Sequence, residues 1–233
     1  MKNSIKSGAQ TSKPENSNML TDIDALIFDL DGTLVDSMWI WRDIDIAYLG
    51  RYNIALPENI HLLIEGMSFS ETAQFFKEKF AIPDDVETIK SDWNAMAWKK
   101  YTTEVPMKTG AIAFLEDALL KGLKMGIATS NSESLVKQIA DVHGLHKYFS
   151  VMKTACEVKK GKPAPDIFLL VAEALKVKPE RCLVFEDIVP GIIAGKSAGM
   201  RVCAVEDIYS ATTRGEKKRL ADYYIENFDE VIR

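Results

Sequence analysis

The sequence predicts an α/β fold, in which a parallel β-sheet carries helices on both faces and a helical domain is inserted after the first strand. The first observation behind this prediction is an alternation of helical segments with short apolar segments from Gly110 onward, a pattern typical of parallel sheets. The second is the apolar run Ala25–Phe28, which is followed between Val35 and Tyr101 by helical patterns and no convincing strand. Because this run must join the sheet, the segment behind it is an insertion.

The predicted elements follow from the spacing of apolar residues along the chain. Helices are expected in the insertion at 37–52, 71–80 and 86–101, with Asp36 or Ser37 as the N-cap of the first. After the insertion, helices are expected at 112–121, 134–142, 165–175 and 190–198. Strands are expected at 124–128, 149–152, 182–185 and 201–205.

These elements divide the chain into three regions. We expect residues 1–20 to be a disordered tail, residues 21–35 and 104–233 to form the α/β core, and residues 36–103 to form a helical cap on it. The tail is rich in Lys, Ser and Asn, and it lacks the apolar stretch of a secretory signal.

The composition excludes several classes of protein. The chain is 47% hydrophobic and 27% charged, with a net charge of −5, and no basic stripe suggests a nucleic-acid partner. No apolar run approaches the roughly 18 residues of a membrane span. Cys156, Cys182 and Cys203 form no CxxC pair, and the last two lie in predicted strands. We interpret those two as small core residues in a reducing cytoplasm, which is the expected location of the protein.

Two acidic residues follow the first predicted strand directly. Asp29 and Asp31 are separated by one residue and are followed by Gly32 and Thr33. This places both carboxylates at the carboxyl end of a strand, where open α/β sheets bind ligands. Because two carboxylates so close repel each other, their presence indicates a bound cation or a chemical task.

Polar residues also lie at three other strand ends or loops. Thr129, Ser130 and Asn131 follow the strand at 124–128, and Ser130 with Glu133 fits a capping box whose helix N-terminus could bind an anion. Lys162 lies in a proline-flanked loop that can hold a cationic side chain in place. Glu186 and Asp187 follow the strand at 182–185.

Together these residues form two complementary sets. The carboxylates are the oxygen ligands that Mg²⁺ prefers, and the other set can donate hydrogen bonds to phosphoryl oxygens. Two unit charges about 4 Å apart repel by roughly 4 kcal/mol at an effective dielectric constant of 20, so we expect a divalent ion. The expected metal ligands are Asp29, Asp31, Glu186 and Asp187. The expected phosphate-binding residues are Thr129, Ser130, Asn131 and Lys162.

These four segments, in this order, resemble those of the haloacid dehalogenase-like hydrolase superfamily, in the branch that includes β-phosphoglucomutase and many small-molecule phosphatases. The resemblance covers about residues 22–233. It implies a Rossmann-like core, a mobile helical cap that closes over the substrate, Mg²⁺ as cofactor and a small phosphorylated metabolite as partner. Because cap movement needs free space, we expect a monomer.

The resemblance also implies roles for individual residues. Asp29 would be the nucleophile that forms an aspartyl-phosphate, and Asp31 the general acid and base. Thr129 and Lys162 would bind the phosphoryl group. Asp187 would hold the metal together with Asp29 and the Asp31 carbonyl, with Glu186 assisting.

The resemblance leaves two alternatives open besides a phosphatase. A phosphosugar mutase of the β-phosphoglucomutase type carries a cap His and a cap Arg, but Trp41 and Phe69 occupy those places here, which favours a phosphatase. A non-catalytic protein that binds phosphorylated metabolites would not need Asp31, so the intact set of acids favours an enzyme. Haloacid dehalogenases lack the second Asp, and a phosphate ester is therefore the expected substrate class.

Overall fold

A six-stranded parallel sheet forms the centre of the protein. The computed structural model describes residues 18–232, and the strands within this range are Ala25–Phe28 (β1), Lys124–Thr129 (β2), Val151–Thr154 (β3), Cys182–Glu186 (β4), Arg201–Val205 (β5) and Tyr223–Ile225 (β6). Their order in the sheet is β3-β2-β1-β4-β5-β6, and every neighbouring pair is parallel. The predicted parallel sheet is confirmed, and sequence analysis missed only its edge strand β6.

Nine α-helices accompany the sheet within residues 18–232. They are Met38–Gly50 (α1), Ile60–Ile64 (α2), Phe69–Lys79 (α3), Val86–Thr103 (α4), Ala111–Leu120 (α5), Glu133–Val142 (α6), Asp166–Leu175 (α7), Val189–Ser197 (α8) and Arg214–Leu220 (α9). Helices α1 to α4 occupy the chain between β1 and α5, as expected of an inserted cap. The short helices α2 and α9 were not predicted. None of the helices described here combines the length and the apolar character needed to cross a bilayer.

Strand β1 is central because it is apolar on both faces. Leu26 and Phe28 join one hydrophobic cluster, in which Phe28 stacks on Phe185 of β4 with ring centroids 4.8 Å apart. Ala25 and Ile27 point to the opposite face and join a second cluster with residues of α7 and α8. A strand buried on both faces reads as a continuous apolar run. Asp29, the residue after Phe28, therefore lies at the carboxyl end of a central strand.

The ordered core begins earlier than expected. Met19 is buried in the cluster that contains Phe28, and the Thr21 backbone N–H donates to the carbonyl oxygen of Asn18 to form a turn. The predicted tail boundary at residue 20 is therefore wrong, because a hydrophobic side chain in that stretch packs on the core. The rest of the predicted tail, residues 1–17, lies outside the described residues. Cys182 and Cys203 are buried in strands as predicted, and Cys156 is exposed.

The cap helices are seated on the core beside the carboxyl ends of the strands. The Phe69 N–H, at the start of α3, donates to the Ser130 carbonyl oxygen at 2.9 Å. On the other side, α4 packs along α6, where Gln138 Nε2 donates to the Trp98 carbonyl oxygen at 2.9 Å. The cap thus covers the edge of the sheet at which Asp29 lies.

Cap helix α1 carries a partly buried carboxylate that has no hydrogen-bonding or ionic partner among the described residues. Asp45 is partly buried, and its side chain makes no hydrogen bond or ion pair within residues 18–232. Burial raises the pKa of Asp45 to about 7. Because the folded pKa lies above the unfolded one, ionisation destabilises the fold progressively as pH rises from about 4 to 7, and the full cost is present above that range.

The Asp45→Asn variant should therefore be more stable than the parent at alkaline pH. We expect its free energy of unfolding to rise by about 1–2 kcal/mol at pH 8, and by little at pH 4, where Asp45 is protonated when folded. Urea denaturation at the two pH values measures this. Asp43→Asn is the matched control, because that exposed residue of α1 pairs with Lys100 and its loss should change stability by less than about 1 kcal/mol. An equal gain for Asp45→Asn at both pH values would contradict the assignment.

Candidate active site

Asp29 is the first residue beyond the central strand, and it is almost completely buried. Its backbone N–H continues the sheet ladder by donating to the Phe185 carbonyl oxygen at 3.0 Å, which fixes where the side chain begins. Its Oδ1 accepts a hydrogen bond from Lys162 Nζ at 2.6 Å. Burial raises the pKa of Asp29 to about 7, against the opposing effect of the Lys162 charge. The local fold therefore holds one desolvated carboxylate in a defined position.

Lys162 joins two buried carboxylates. Its Nζ lies 2.6 Å from Asp29 Oδ1 and 2.5 Å from Glu186 Oε1, and its side chain is only 1% exposed. Burial alone would lower the pKa of Lys162, but the charges of Asp29 and Glu186 outweigh it and raise the pKa above its ordinary value. Lys162 is therefore held as an ammonium ion, which can donate charge-assisted hydrogen bonds to an anion.

Glu186 ends β4 and uses both carboxylate oxygens within the protein. Oε1 accepts from Lys162, and Oε2 accepts from the Ile188 N–H at 3.1 Å. A Cβ atom at Gly191 would lie 1.8 Å from Glu186 Oε1, so only glycine allows α8 to start this close to the carboxylate. This geometry is that of a residue that positions Lys162. A direct metal contact of Glu186 stays a prediction.

Asp187 is buried next to Asp29 and Glu186. Its Oδ1 accepts from Thr33 Oγ1 at 2.9 Å, and its carbonyl oxygen accepts from Ser210 Oγ at 2.8 Å. Burial, and then the neighbouring charges of Glu186 and Asp29, raise the pKa of Asp187 well above its ordinary value. The sequence pattern indicates Asp187 but not Ser210, which lies far along the chain in a segment without a recognisable pattern.

The donor set fits a hard divalent cation. The charge of Asp29 disfavours ionisation of Asp187, and a cation between the two carboxylates would reverse that penalty. Within residues 18–232, there is no group of three or more His, Cys, Asp or Glu side chains that could hold a metal ion. A metal centre built from two carboxylates and the Asp31 carbonyl oxygen does not require a third side chain of these types. The residues thus suit Mg²⁺ bound by few protein ligands.

Gly32 makes room for Asp187. Its φ is +79°, and a Cβ atom there would lie 2.4 Å from Asp187 Oδ2. We expect Gly32→Ala to lower activity about 100-fold and to cost about 1–3 kcal/mol of stability, because the methyl group displaces the carboxylate and strains the turn. Gly122→Ala is the matched control, since Gly122 has a φ of +73° and open space around its Cβ position. Phosphate-release kinetics should show the control active, and equal activity of both variants would contradict the role given to Gly32.

The loop after β2 differs from the expected capping box. The N-cap of α6 is Ser132, whose Oγ accepts from the Leu135 N–H at 3.4 Å, so the predicted pairing of Ser130 with Glu133 is wrong. The reason is that the helix begins at Glu133, which leaves Ser130 in the preceding turn. Ser130 Oγ is buried and has no hydrogen-bond partner in the described part of the chain. It remains available to a ligand.

Thr129, the last residue of β2, lies beside Asn131 of the loop that follows. Thr129 is buried, and its Oγ1 accepts from the Asn131 N–H at 3.1 Å. The Asn131 side chain is directed at the second acid of the site, with its Nδ2 2.8 Å from Asp31 Oδ2. The phosphate-binding roles of Thr129, Ser130, Asn131 and Lys162 stay predictions.

Asp31 is surrounded by donors that sequence analysis did not assign to it. Ser37, one of the two residues expected as the N-cap of α1, does occupy that position, but its Oγ makes no capping hydrogen bond and instead donates to Asp31 Oδ1 at 2.5 Å. The Tyr101 hydroxyl, from cap helix α4, donates to the same oxygen. Burial and the Asp31 charge raise the pKa of Tyr101 well above its ordinary value. No sequence signal identifies Tyr101, because its approach to Asp31 depends on how α4 packs over the core.

The four sequence segments therefore converge at one edge of the sheet. Hydrogen bonds join Lys162 to Asp29 and Glu186, and join Asn131 to Asp31. Asp187 directly follows Glu186 and lies near Asp29. Buried carboxylates, one ammonium group and uncommitted polar atoms in this arrangement can bind a cation and an anion side by side.

Comparison with known proteins identifies the family of the chain. The model of the haloacid dehalogenase-like hydrolase family matches residues 23–199. The phosphorylated carbohydrates phosphatase of Thermotoga maritima is 33% identical over 178 residues, which cover 76% of this chain and 82% of that protein. The bifunctional riboflavin kinase/FMN phosphatase of Arabidopsis thaliana is 33% identical over 188 residues, and the chain spans about half (49%) of its length.

A solved structure gives the same result for the fold. The β-phosphoglucomutase of Clostridium difficile superposes with a TM-score of 0.76 at 22% identity, covering 90% of this chain and 93% of that one. The Rossmann-like core expected from the resemblance is thus confirmed. The chain belongs to the haloacid dehalogenase-like hydrolase family, among its phosphatases, and is a phosphoric monoester hydrolase.

Proposed function

We propose that this protein is a Mg²⁺-dependent phosphatase that hydrolyses a small phosphorylated metabolite through an aspartyl-phosphate on Asp29. The observation that carries the proposal is the buried contact of Asp29 with Lys162, 2.6 Å apart at the carboxyl end of the central strand. A desolvated carboxylate held by one ammonium group, at the sheet edge where α/β folds bind ligands, is suited to attack phosphorus.

The proposed reaction has two steps. In the first, an Asp29 oxygen attacks phosphorus in line, the bond to the leaving oxygen breaks, and Asp31 gives that oxygen a proton. In the second, Asp31 takes a proton from a water molecule that attacks the aspartyl-phosphate, so that inorganic phosphate leaves and Asp29 is restored. Lys162 neutralises charge on the phosphoryl oxygens.

Mg²⁺ would be held by Asp29, Asp187 and the Asp31 carbonyl oxygen. When bound, it would neutralise charge on the phosphoryl group and on the two carboxylates. The burial of Asp187 and its proximity to Asp29 support this assignment, because both raise the pKa of Asp187 above its ordinary value and a bound cation would favour its ionised form.

The cap side of the site supports a phosphatase over a mutase. Trp41 and Phe69 contact each other edge to face, with ring centroids 5.9 Å apart, and Trp41 also packs against Tyr101. Neither side chain offers the charge that a second phosphate would need. The relatives named above include a phosphorylated carbohydrates phosphatase, and a small phosphorylated polyol or sugar is the substrate class we propose.

A screen for phosphate release tests this function. Sugar, polyol, nucleotide and glycolytic phosphates are incubated with the protein with and without Mg²⁺, and Asp29→Asn serves as the inactive control. Release that needs both Mg²⁺ and Asp29 is the expected result. Interconversion of sugar phosphate isomers without net release would indicate a mutase, and binding without any turnover would indicate a phosphometabolite-binding protein.

A further inference from the structure

The hydrogen bonds around Asp31 fix the orientation of the Asn131 side chain. Asn131 Oδ1 accepts from the Ser132 N–H at 2.7 Å, so this end of the amide is the carbonyl oxygen. The amide nitrogen must then be the atom that lies 2.8 Å from Asp31 Oδ2 and 3.0 Å from the Tyr101 hydroxyl oxygen. Asn131 is consequently a donor to both residues.

The direction of the Tyr101 hydroxyl hydrogen follows from the same reasoning. The indole N–H of Trp41, which can only donate, lies 3.1 Å from the Tyr101 oxygen. Trp41 and Asn131 together satisfy both lone pairs of that oxygen. The hydroxyl hydrogen is therefore directed toward Asp31 Oδ1, to which the Tyr101 hydroxyl donates. Tyr101 is fully buried, so its ring cannot turn away without opening the cap.

These donors come from different parts of the molecule. Tyr101 lies on α4 and Trp41 on α1, both in the cap, whereas Asp31 and Asn131 lie on core loops. The contact between Tyr101 and Asp31 therefore exists only while the cap is seated on the core. Asp29, by contrast, is held by core residues, and the part of the chain described here gives it no hydrogen bond from the cap.

We propose that Tyr101 is a positioning residue that couples cap closure to catalysis, because its hydroxyl completes, with Ser37 and Asn131, the set of donors that orients Asp31 for proton transfer when the cap is closed. The inference rests on the proposed phosphatase function. Trp41 takes part by orienting the Tyr101 hydroxyl group. In this way proton transfer by Asp31 is confined to the closed state of the cap.

The test is a double-mutant cycle on phosphate release from p-nitrophenyl phosphate. We expect Tyr101→Phe to lower kcat about 10-fold or more while KM changes less than about 2-fold, because orientation of a reacting group acts on the transition state. In an Asp31→Asn background, the same substitution should produce no further loss, because the residue through which Tyr101 acts is gone. Tyr48→Phe is the matched control, a buried cap tyrosine whose hydroxyl contacts Asp84 instead, and it should leave kcat unchanged.

The outcomes separate this inference from the proposed function. If the wild-type protein releases no phosphate from any substrate, the proposed function fails. If the wild type is active and Tyr101→Phe keeps its kcat, or lowers it equally in both backgrounds, the inference alone is overturned. Should Tyr101→Phe fail to fold, Trp41→Phe is the second test, since it keeps the tyrosine and an aromatic ring at position 41 and removes the orienting N–H. A smaller loss of kcat that disappears in the Asp31→Asn background is then expected, and unchanged kcat overturns the inference.

Discussion

Asp29→Asn is expected to lower the rate of phosphate release by about 10⁴-fold or more while leaving the fold intact. The amide cannot serve as the nucleophile, but its oxygen can still accept the hydrogen bond from Lys162 that Asp29 Oδ1 accepts. Steady-state release of phosphate from p-nitrophenyl phosphate measures the loss. Because burial raises the pKa of Asp29 to about 7, ionisation of this residue opposes folding, and we expect the variant to be at least as thermostable at pH 8.

The control for this prediction is Asp24→Asn. Asp24 precedes β1 at the opposite end from Asp29, is exposed and pairs with Arg181. The substitution removes one negative charge next to the same strand and should leave activity within about 2-fold, since an exposed ion pair contributes little to stability. Near-normal activity of Asp29→Asn would refute the assignment of the nucleophile.

Lys162→Met is expected to cause the largest loss of stability of any substitution in the site. Without Lys162, Asp29 and Glu186 remain buried with no cation between them. Removal of one partner from a buried ion pair typically costs about 3–5 kcal/mol, and we expect a loss of this size in urea denaturation without Mg²⁺. Activity should fall about 10³-fold or more, because a phosphoryl-binding charge is lost in a water-poor site.

Two variants serve as references for this prediction. Lys196→Met removes a surface lysine that pairs with Asp222, and it should change the free energy of unfolding by less than about 1 kcal/mol. Asp29→Asn combined with Lys162→Met should recover part of the stability, since one of the unpaired carboxylates is then gone. Stability equal to wild type for Lys162→Met alone would mean that the three charges are not coupled as described.

The strands and the functional segments could be predicted because their signals are local. The apolar run Ala25–Phe28 is buried on both faces, and a strand buried on both faces has a continuous apolar sequence in any parallel sheet. Strand β6 and helix α9 were missed because they are three and seven residues long, below the length at which periodicity is visible. Ser130 was misplaced because two serines, at 130 and 132, could each have preceded the helix.

The partners of the site residues could not be predicted, because they depend on tertiary packing. Lys162 and Glu186 are 24 positions apart, and only the path of α7 brings them to 2.5 Å. The contact of Tyr101 with Asp31 spans 70 positions and requires the cap to be seated on the core. The sequence identifies residues suited to the chemistry, whereas packing decides which of them touch.

The most direct test of the account is to locate the phosphorylated residue. The protein is mixed with Mg²⁺ and a substrate identified by the screen, quenched in acid during turnover, reduced with borohydride, digested and analysed by mass spectrometry. An acyl phosphate on an aspartate is reduced to homoserine, and the account predicts homoserine at position 29 and nowhere else in the chain. Rapid turnover with no reduced residue at 29, or with phosphate attached to another side chain, would contradict it.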